Sequence, residues 1–220
     1  IEVTTGMEYI LLVPAAYLLG SVPTGYVLVR LLKGVDIRSY GSKGTGVTNV
    51  LRAAGIPAAV VVLLVDIGKG LLAVVIAKLL FDSSVSEAIA GIMAVTGHNW
   101  SVFIGFRGGR GVATAEGAVL LMLPWAGVAA AAAFILVAIL TRYASLASIT
   151  GLAAASITIS VGIAMGFYDA AYLIYIVTIG TILIFQHRGN IQRLLHGTER
   201  RIGQPAGEHS SDTQVKEEGT

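Results

Sequence analysis

No cysteine occurs among the 220 residues, so a disulfide framework and a cysteine metal site are both excluded and thiols say nothing about redox compartment. Charge is scarce too. Asp, Glu, Lys and Arg make up 13% of the chain and leave a formal charge of +2, too little to argue for a nucleic-acid partner. A soluble domain of this size exposes far more charge than this. No His, Asp and Glu cluster has metal-ligand spacing, and neither a metal nor a cofactor is expected. Tandem repeats and a separate cleavable signal peptide are also missing.

What is present is apolar sequence, 55% of the residues, together with 27 glycines. Runs at 7–32, 55–81, 87–106, 125–141, 144–166 and 168–186 approach or exceed the roughly 20 residues that cross a hydrocarbon core. A seventh run, 111–123, is short and ends at Pro124, which reads as a half-span or broken helix lining a protein cavity. The expected fold class is an all-α polytopic membrane protein of about seven transmembrane helices, one of them short or broken. Residues 7–202 are expected to form a single integral membrane domain. Residues 1–6 are expected as an N-terminal extension or cloning remnant, and 203–220 as a polar, disordered tail.

Charge placement predicts orientation. With the N-terminus outside, the inner connections hold Arg30, Lys33, Arg38, Lys43, Arg52, Arg107, Arg110, Arg142, Arg188, Arg193, Arg200 and Arg201, and the outer ones Glu2, Glu8, Asp82, Glu87 and Asp169. The C-terminus and three unusual polar segments then share the inner face. The first, 41–52, has three glycines, the hydroxyls of Ser42, Thr45 and Thr48, the amide of Asn49, and Arg52. It suits a phosphate, or else is a flexible turn before a helix cap; it lacks the Gly-Lys-Ser/Thr ending of a nucleotide-hydrolysing P-loop.

The second segment, 97–114, places four glycines within 105–111, with Arg107 and Arg110 among them. Gly108, Gly109 and Gly111 let successive N–H groups converge on an anion, Arg110 adds full charge, and Thr114 sits in the first turn of the following helix. Arginines that only anchor topology are the alternative. His98 either bonds a neighbouring carbonyl or serves the site. The third segment, 187–199, ends the last span. There His187 has the chemistry to take a proton from a hydroxyl, or else it merely caps the membrane end of the span while Arg188 and Arg193 bind lipid head groups. Asp66 and Lys69, three residues apart inside a span, share one helix face; they form a structural ion pair, or Lys69 lends its charge to the anion pocket.

Together these residues resemble the bacterial membrane acyltransferases that use acyl-phosphate to acylate glycerol 3-phosphate, the PlsY family, over nearly the whole chain. The resemblance rests on Gly41-Ser42, Gly46, Thr48-Asn49 and Arg52; on Asp66 with Lys69-Gly70; on Gly97-His98, Phe103, Phe106, Gly108-Gly109 and Gly111-Val112-Ala113-Thr114; and on His187-Arg188, Asn190-Ile191, Arg193-Leu194, Gly197 and Glu199. Two departures stand out: Arg110 where the family has lysine, and Lys43-Gly44 where it has Gly-Asn.

The resemblance implies transfer of a fatty acyl group from acyl-phosphate to the 1-hydroxyl of glycerol 3-phosphate, giving lysophosphatidic acid and phosphate. It implies the bacterial cytoplasmic membrane, contact with membrane lipid, and a soluble acyl-phosphate-producing enzyme as a possible partner. The expected catalytic residues are His187 oriented by Asn190, with Arg52 and Lys69. Substrate binding is expected from Ser42, Thr48, Asn49, Asp66, His98, Gly108, Gly109, Arg110, Gly111, Thr114 and Arg188. A transporter or channel for phosphate-bearing solutes is the alternative.

Overall fold

The structure is a computed structural model and describes residues 7–204. Residues 1–6, and 205–220 of the expected tail, lie outside the described residues. Eight α-helices are present among those described: α1 Met7–Ser21, α2 Thr24–Lys33, α3 Val47–Phe81, α4 Ser84–Asn99, α5 Val112–Met122, α6 Pro124–Thr141, α7 Ala144–Ala164 and α8 Tyr172–Leu195. The stretches Tyr9–Lys33, Val47–Phe81, Pro124–Thr141 and Ala144–Ala164 are long and apolar enough to cross a membrane, and Val112–Met122 is the short apolar helix the sequence predicts. Leu31, Leu79, Trp125, Ile139 and Leu140 are exposed on the outside, as a lipid-facing surface requires. The chain is an all-α multi-pass membrane protein.

Three boundaries differ from expectation. The run 7–32 is two helices, because Pro23 brings no N–H and α1 stops at Ser21. The freed ends are satisfied from elsewhere: the Val22 carbonyl accepts from Lys69 Nζ at 3.2 Å, and the Ser21 carbonyl accepts from the Ser101 hydroxyl. The run 87–106 is helical only to Asn99, after which the chain turns back through Val102–Ile104. Last, α8 runs past the apolar stretch to Leu195, so most of the third polar segment is helix and not a connection. His187 and Asn190 continue the buried face of Ile176, Ile179 and Leu183, and Arg188 falls on the exposed face.

α3 is bent at Gly55, whose φ of 81° and ψ of −176° interrupt the helix just before Pro57. Residues 47–54 therefore belong to a separate turn of helix beside the first polar loop. Close crossings hold the bundle together through backbone contact at small residues. A side chain on Gly70 would run into the Thr114 carbonyl of α5, and one on Gly117 into the Ile67 carbonyl of α3. Gly20 and Gly97 bring α1 and α4 together in the same way. Behind these contacts, Tyr175 is buried and donates its hydroxyl to the Ala115 carbonyl at 2.9 Å.

Because the α3–α5 contact is backbone against backbone, Gly70→Val has no side chain to displace and must separate the helices. Overpacking of this kind costs about 1–3 kcal/mol or more. A thermal melt in detergent is expected to show the variant clearly destabilised; a melt unchanged from wild type would contradict this packing.

Candidate active site

The first polar loop is shaped by Asn49, which is buried at the start of α3. Its amide nitrogen donates to the carbonyls of Ile37, Tyr40 and Gly44 at 2.8–3.1 Å, and its oxygen accepts from the Ser42 N–H at 3.3 Å. Asn49 thus spends these hydrogen bonds on shaping the loop, and it lines the cavity as well. Ser42 and Thr48 lie on the cavity side beside it. Lys43, one of the departures, adopts a φ of 58° in an exposed turn.

In the second segment the glycines serve a different purpose from the one expected. The Gly108 N–H donates to the Asn99 carbonyl at 3.0 Å and the Gly109 N–H to the His98 carbonyl at 3.1 Å. Both donors therefore close off the C-terminal end of α4 and are not free for an anion. The chain emerges at Arg110, takes a φ of 81° at Gly111, and enters α5. Gly111 is the N-cap and its carbonyl accepts from Ala115, so the N–H groups of Val112, Ala113 and Thr114 are the orphan donors of the first turn. Thr114 does not add its hydroxyl: the residue is fully buried against α3 and its Oγ1 has no partner.

Beneath this loop lies a buried cluster. Lys69 Nζ stands 2.9 Å from Asp66 Oδ1 and 2.7 Å from His98 Nδ1, and the imidazole is packed directly against Gly109. Asp66 and His98 reach the main cavity, whereas Lys69 faces the α1–α2 break. Lys69 therefore supports the site from behind and does not lend its charge to the anion pocket, since a buried cation is held where its partners are.

In the third segment His187 lines the cavity, and its Nδ1 donates to the Leu183 carbonyl at 2.8 Å. That bond leaves the neutral ring with an unprotonated Nε2. Asn190 does not orient it. The Asn190 amide donates instead to Glu199 at 2.6 Å, and Glu199 also accepts from the Ser145 hydroxyl and from Arg193 Nε, at 2.8 and 2.7 Å. Burial pushes the Glu199 carboxyl up, but these three hydrogen bonds outweigh it and hold the group below the usual carboxylate range. Arg188 is outside the site: exposed, stacked on Phe185 at 4.2 Å and donating to the Phe185 carbonyl.

A cavity of about 360 Å³ joins Ser42 and Thr48, Gly109 to Ala113, His98 and His187 at one end with an apolar interior between α5, α6, α7 and α8. Arg52 is not among the lining residues; its Nε is buried without a partner, and its charge is close enough to act on Arg110. The residues missed in the sequence are Glu116 and Ser145. A lone acid in the apolar run 111–123 was the available signal for the first; nothing distinguishes Ser145 before the fold brings it to Glu199.

A family model for glycerol-3-phosphate acyltransferase matches residues 10–197. The chain belongs to the glycerol-3-phosphate acyltransferase family. It is 44% identical to the Thermoanaerobacter pseudethanolicus glycerol-3-phosphate acyltransferase over 86% of this chain and 93% of that one. It is 41% identical to that of Clostridioides difficile, over 90% and 97%. Among solved structures it is similar to the integral membrane glycerol 3-phosphate acyltransferase PlsY. The glycerol 3-phosphate form gives a TM-score of 0.83 at 40% identity, covering 89% of this chain and 96% of that chain. The lysophosphatidic acid form gives 0.80 at 39%, covering 88% and 95%. The transporter alternative finds no support in these relatives.

Within this family frame Arg110 is the charge nearest the mouth of α5. Burial pushes its guanidinium down to about 10, with Glu199 opposing and Arg193 and Arg52 adding to the fall. The charged form is thus present at neutral pH and lost as pH rises through about 10. Arg110→Ala is expected to lower kcat/KM by about 100-fold or more. Arg110→Lys is expected to work at pH 7, with its alkaline decline at lower pH than wild type, since a lysine starts from about 10.4. An alanine variant within a few-fold of wild type would contradict a role in anion binding.

Proposed function

We propose that this acyltransferase moves a fatty acyl group from acyl-phosphate to the 1-hydroxyl of glycerol 3-phosphate, at the cytoplasmic face of a bacterial inner membrane with the N-terminus outside. The observation that carries the reading is the cavity itself: a helix N-terminus, hydroxyls and an arginine at one end, continuous with an apolar channel between helices. That shape suits a molecule that is phosphate at one end and acyl chain at the other.

The donor phosphate is assigned to the N–H groups of Val112 and Ala113, with Ser42 and Thr48 across from them. The acceptor phosphate is assigned to Arg52 and Arg110, on the side where His187 faces the cavity. Arg110 stands between the two anions and favours both. Attack by the 1-hydroxyl oxygen forms the new C–O ester bond. The bond from the acyl carbon to the phosphate oxygen breaks, and phosphate departs with its charge held by the α5 terminus. The hydroxyl proton passes to His187 Nε2 or to an oxygen of the departing phosphate. The second route gains from one feature of the site: His187 is held by a backbone carbonyl and not by a carboxylate, so little stabilises an imidazolium. A soluble acyl-phosphate-producing enzyme is the partner this donor requires.

Two measurements test the reading. Purified protein given glycerol 3-phosphate with palmitoyl-phosphate, palmitoyl-CoA or palmitoyl carrier protein is expected to form lysophosphatidic acid from palmitoyl-phosphate. Product from a thioester alone would overturn the donor. His187→Ala is expected to lose about 100-fold in kcat if the imidazole is the base, whereas near-normal turnover assigns the proton to the phosphate.

A further inference from the structure

One ionisable side chain on the cavity wall has no part in the reaction as described. Glu116 lies one helical turn beyond Val112 on α5 and lines the cavity. Its Oε1 is buried with no hydrogen-bond partner, and no cation pairs with it among the described residues. The other faces of α5 are taken up by packing: Thr114 and Gly117 press on the backbone of α3, and Ala118 meets Gly91 of α4. Val112, Ala113, Ala115, Glu116 and Val119 are left to form the cavity wall. Phe134 and Ile135 of α6 and Ile179 of α8, which also line the cavity, are apolar, and the α7 hydroxyl on its wall, Ser148, gives its hydrogen to the Ala144 carbonyl. The nearest polar side chain on α8, Tyr175, gives its hydroxyl hydrogen to the Ala115 carbonyl. A bare carboxyl oxygen in such a place costs about 1–3 kcal/mol, which a leucine or valine would avoid.

Its position along α5 indicates what it meets. Four residues of helix rise about 6 Å, and helical side chains lean back toward the N-terminus, so the Glu116 carboxyl lies over the Val112–Ala113 turn. With the donor phosphate on that terminus, the acyl carbonyl comes next and the first few carbons of the acyl chain pass the carboxyl. We propose that Glu116 is a specificity-determining residue that hydrogen-bonds a hydroxyl on C2 to C4 of the acyl group, so that this enzyme favours hydroxylated acyl donors over plain ones. The inference rests on the donor placement proposed above. A hydroxyl donates to a carboxylate and accepts from a carboxylic acid, so the contact holds in either protonation state. A plain methylene chain leaves the carboxyl bare.

The test compares kcat/KM for 3-hydroxypalmitoyl-phosphate and palmitoyl-phosphate, at saturating glycerol 3-phosphate, in wild type, Glu116→Gln and Glu116→Leu. Wild type is expected to favour the hydroxylated donor by about tenfold or more, as sites that hydrogen-bond a substrate hydroxyl do. Glutamine, which still donates and accepts, is expected to keep much of that ratio, and leucine to bring it to about one. A ratio at or below one in wild type would overturn the proposal. So would a ratio that survives in the leucine variant, including one preserved while both donors slow equally. Turnover of thioesters and of neither acyl-phosphate would overturn the donor placement, and this inference with it.

Discussion

Asp66 and Lys69 form an ion pair in the middle of a membrane helix, and the geometry of the cavity mouth depends on it. Lys69 reaches from α3 to the carbonyl that Pro23 frees between α1 and α2, and to His98 near the end of α4. One ammonium group thus ties three helical segments to a fourth. Removing one partner of a buried pair costs about 3–5 kcal/mol, because the other charge is left uncompensated. His98, fixed in this way, is the surface on which Gly109 rests, and only glycine leaves room for it there. The chain is then carried through Arg110 and Gly111 into α5, whose first residues, Val112 and Ala113, line the cavity.

The glycine-rich loop is in this view a hinge of fixed shape more than a cradle. The Gly108 and Gly109 N–H groups are consumed by the α4 carbonyls, and the free donors lie a few residues along, at the start of α5. Glu199 has a comparable task on the other side. It draws Ser145 of α7, and Asn190 and Arg193 of α8, to one carboxylate and offsets the positive charge gathered from Arg52, Arg110 and Arg193. Two acidic residues, Asp66 and Glu199, thereby hold in place a site whose ligands are anions.

The number of apolar stretches, the short helix after the glycine loop and the convergence of the three polar segments were legible, because hydropathy and glycine placement are properties of the chain itself. The fate of individual donors was not. Nothing in the run Arg107-Gly108-Gly109-Arg110 distinguishes an N–H aimed at phosphate from one aimed at a carbonyl; that is decided by where α4 ends. The third segment read as a connection because its hydropathy falls at His187, yet His187 and Asn190 extend the buried helix face begun by Ile179 and Leu183. Asn190 is expected to orient His187, but the carboxylate of Glu199 is the stronger acceptor and takes its amide. The family resemblance was readable from the same three segments, and the matching family model and relatives bear it out.

The central claim is that the donor phosphate sits on the open N-terminus of α5. An experimental structure of the protein with a non-hydrolysable acyl-phosphonate tests it most directly. The account predicts the phosphonate oxygens within hydrogen-bond distance of the Val112 and Ala113 N–H groups and of Ser42 or Thr48, with the chain running past Glu116. A phosphonate bound elsewhere, with those N–H groups left to water, would contradict it.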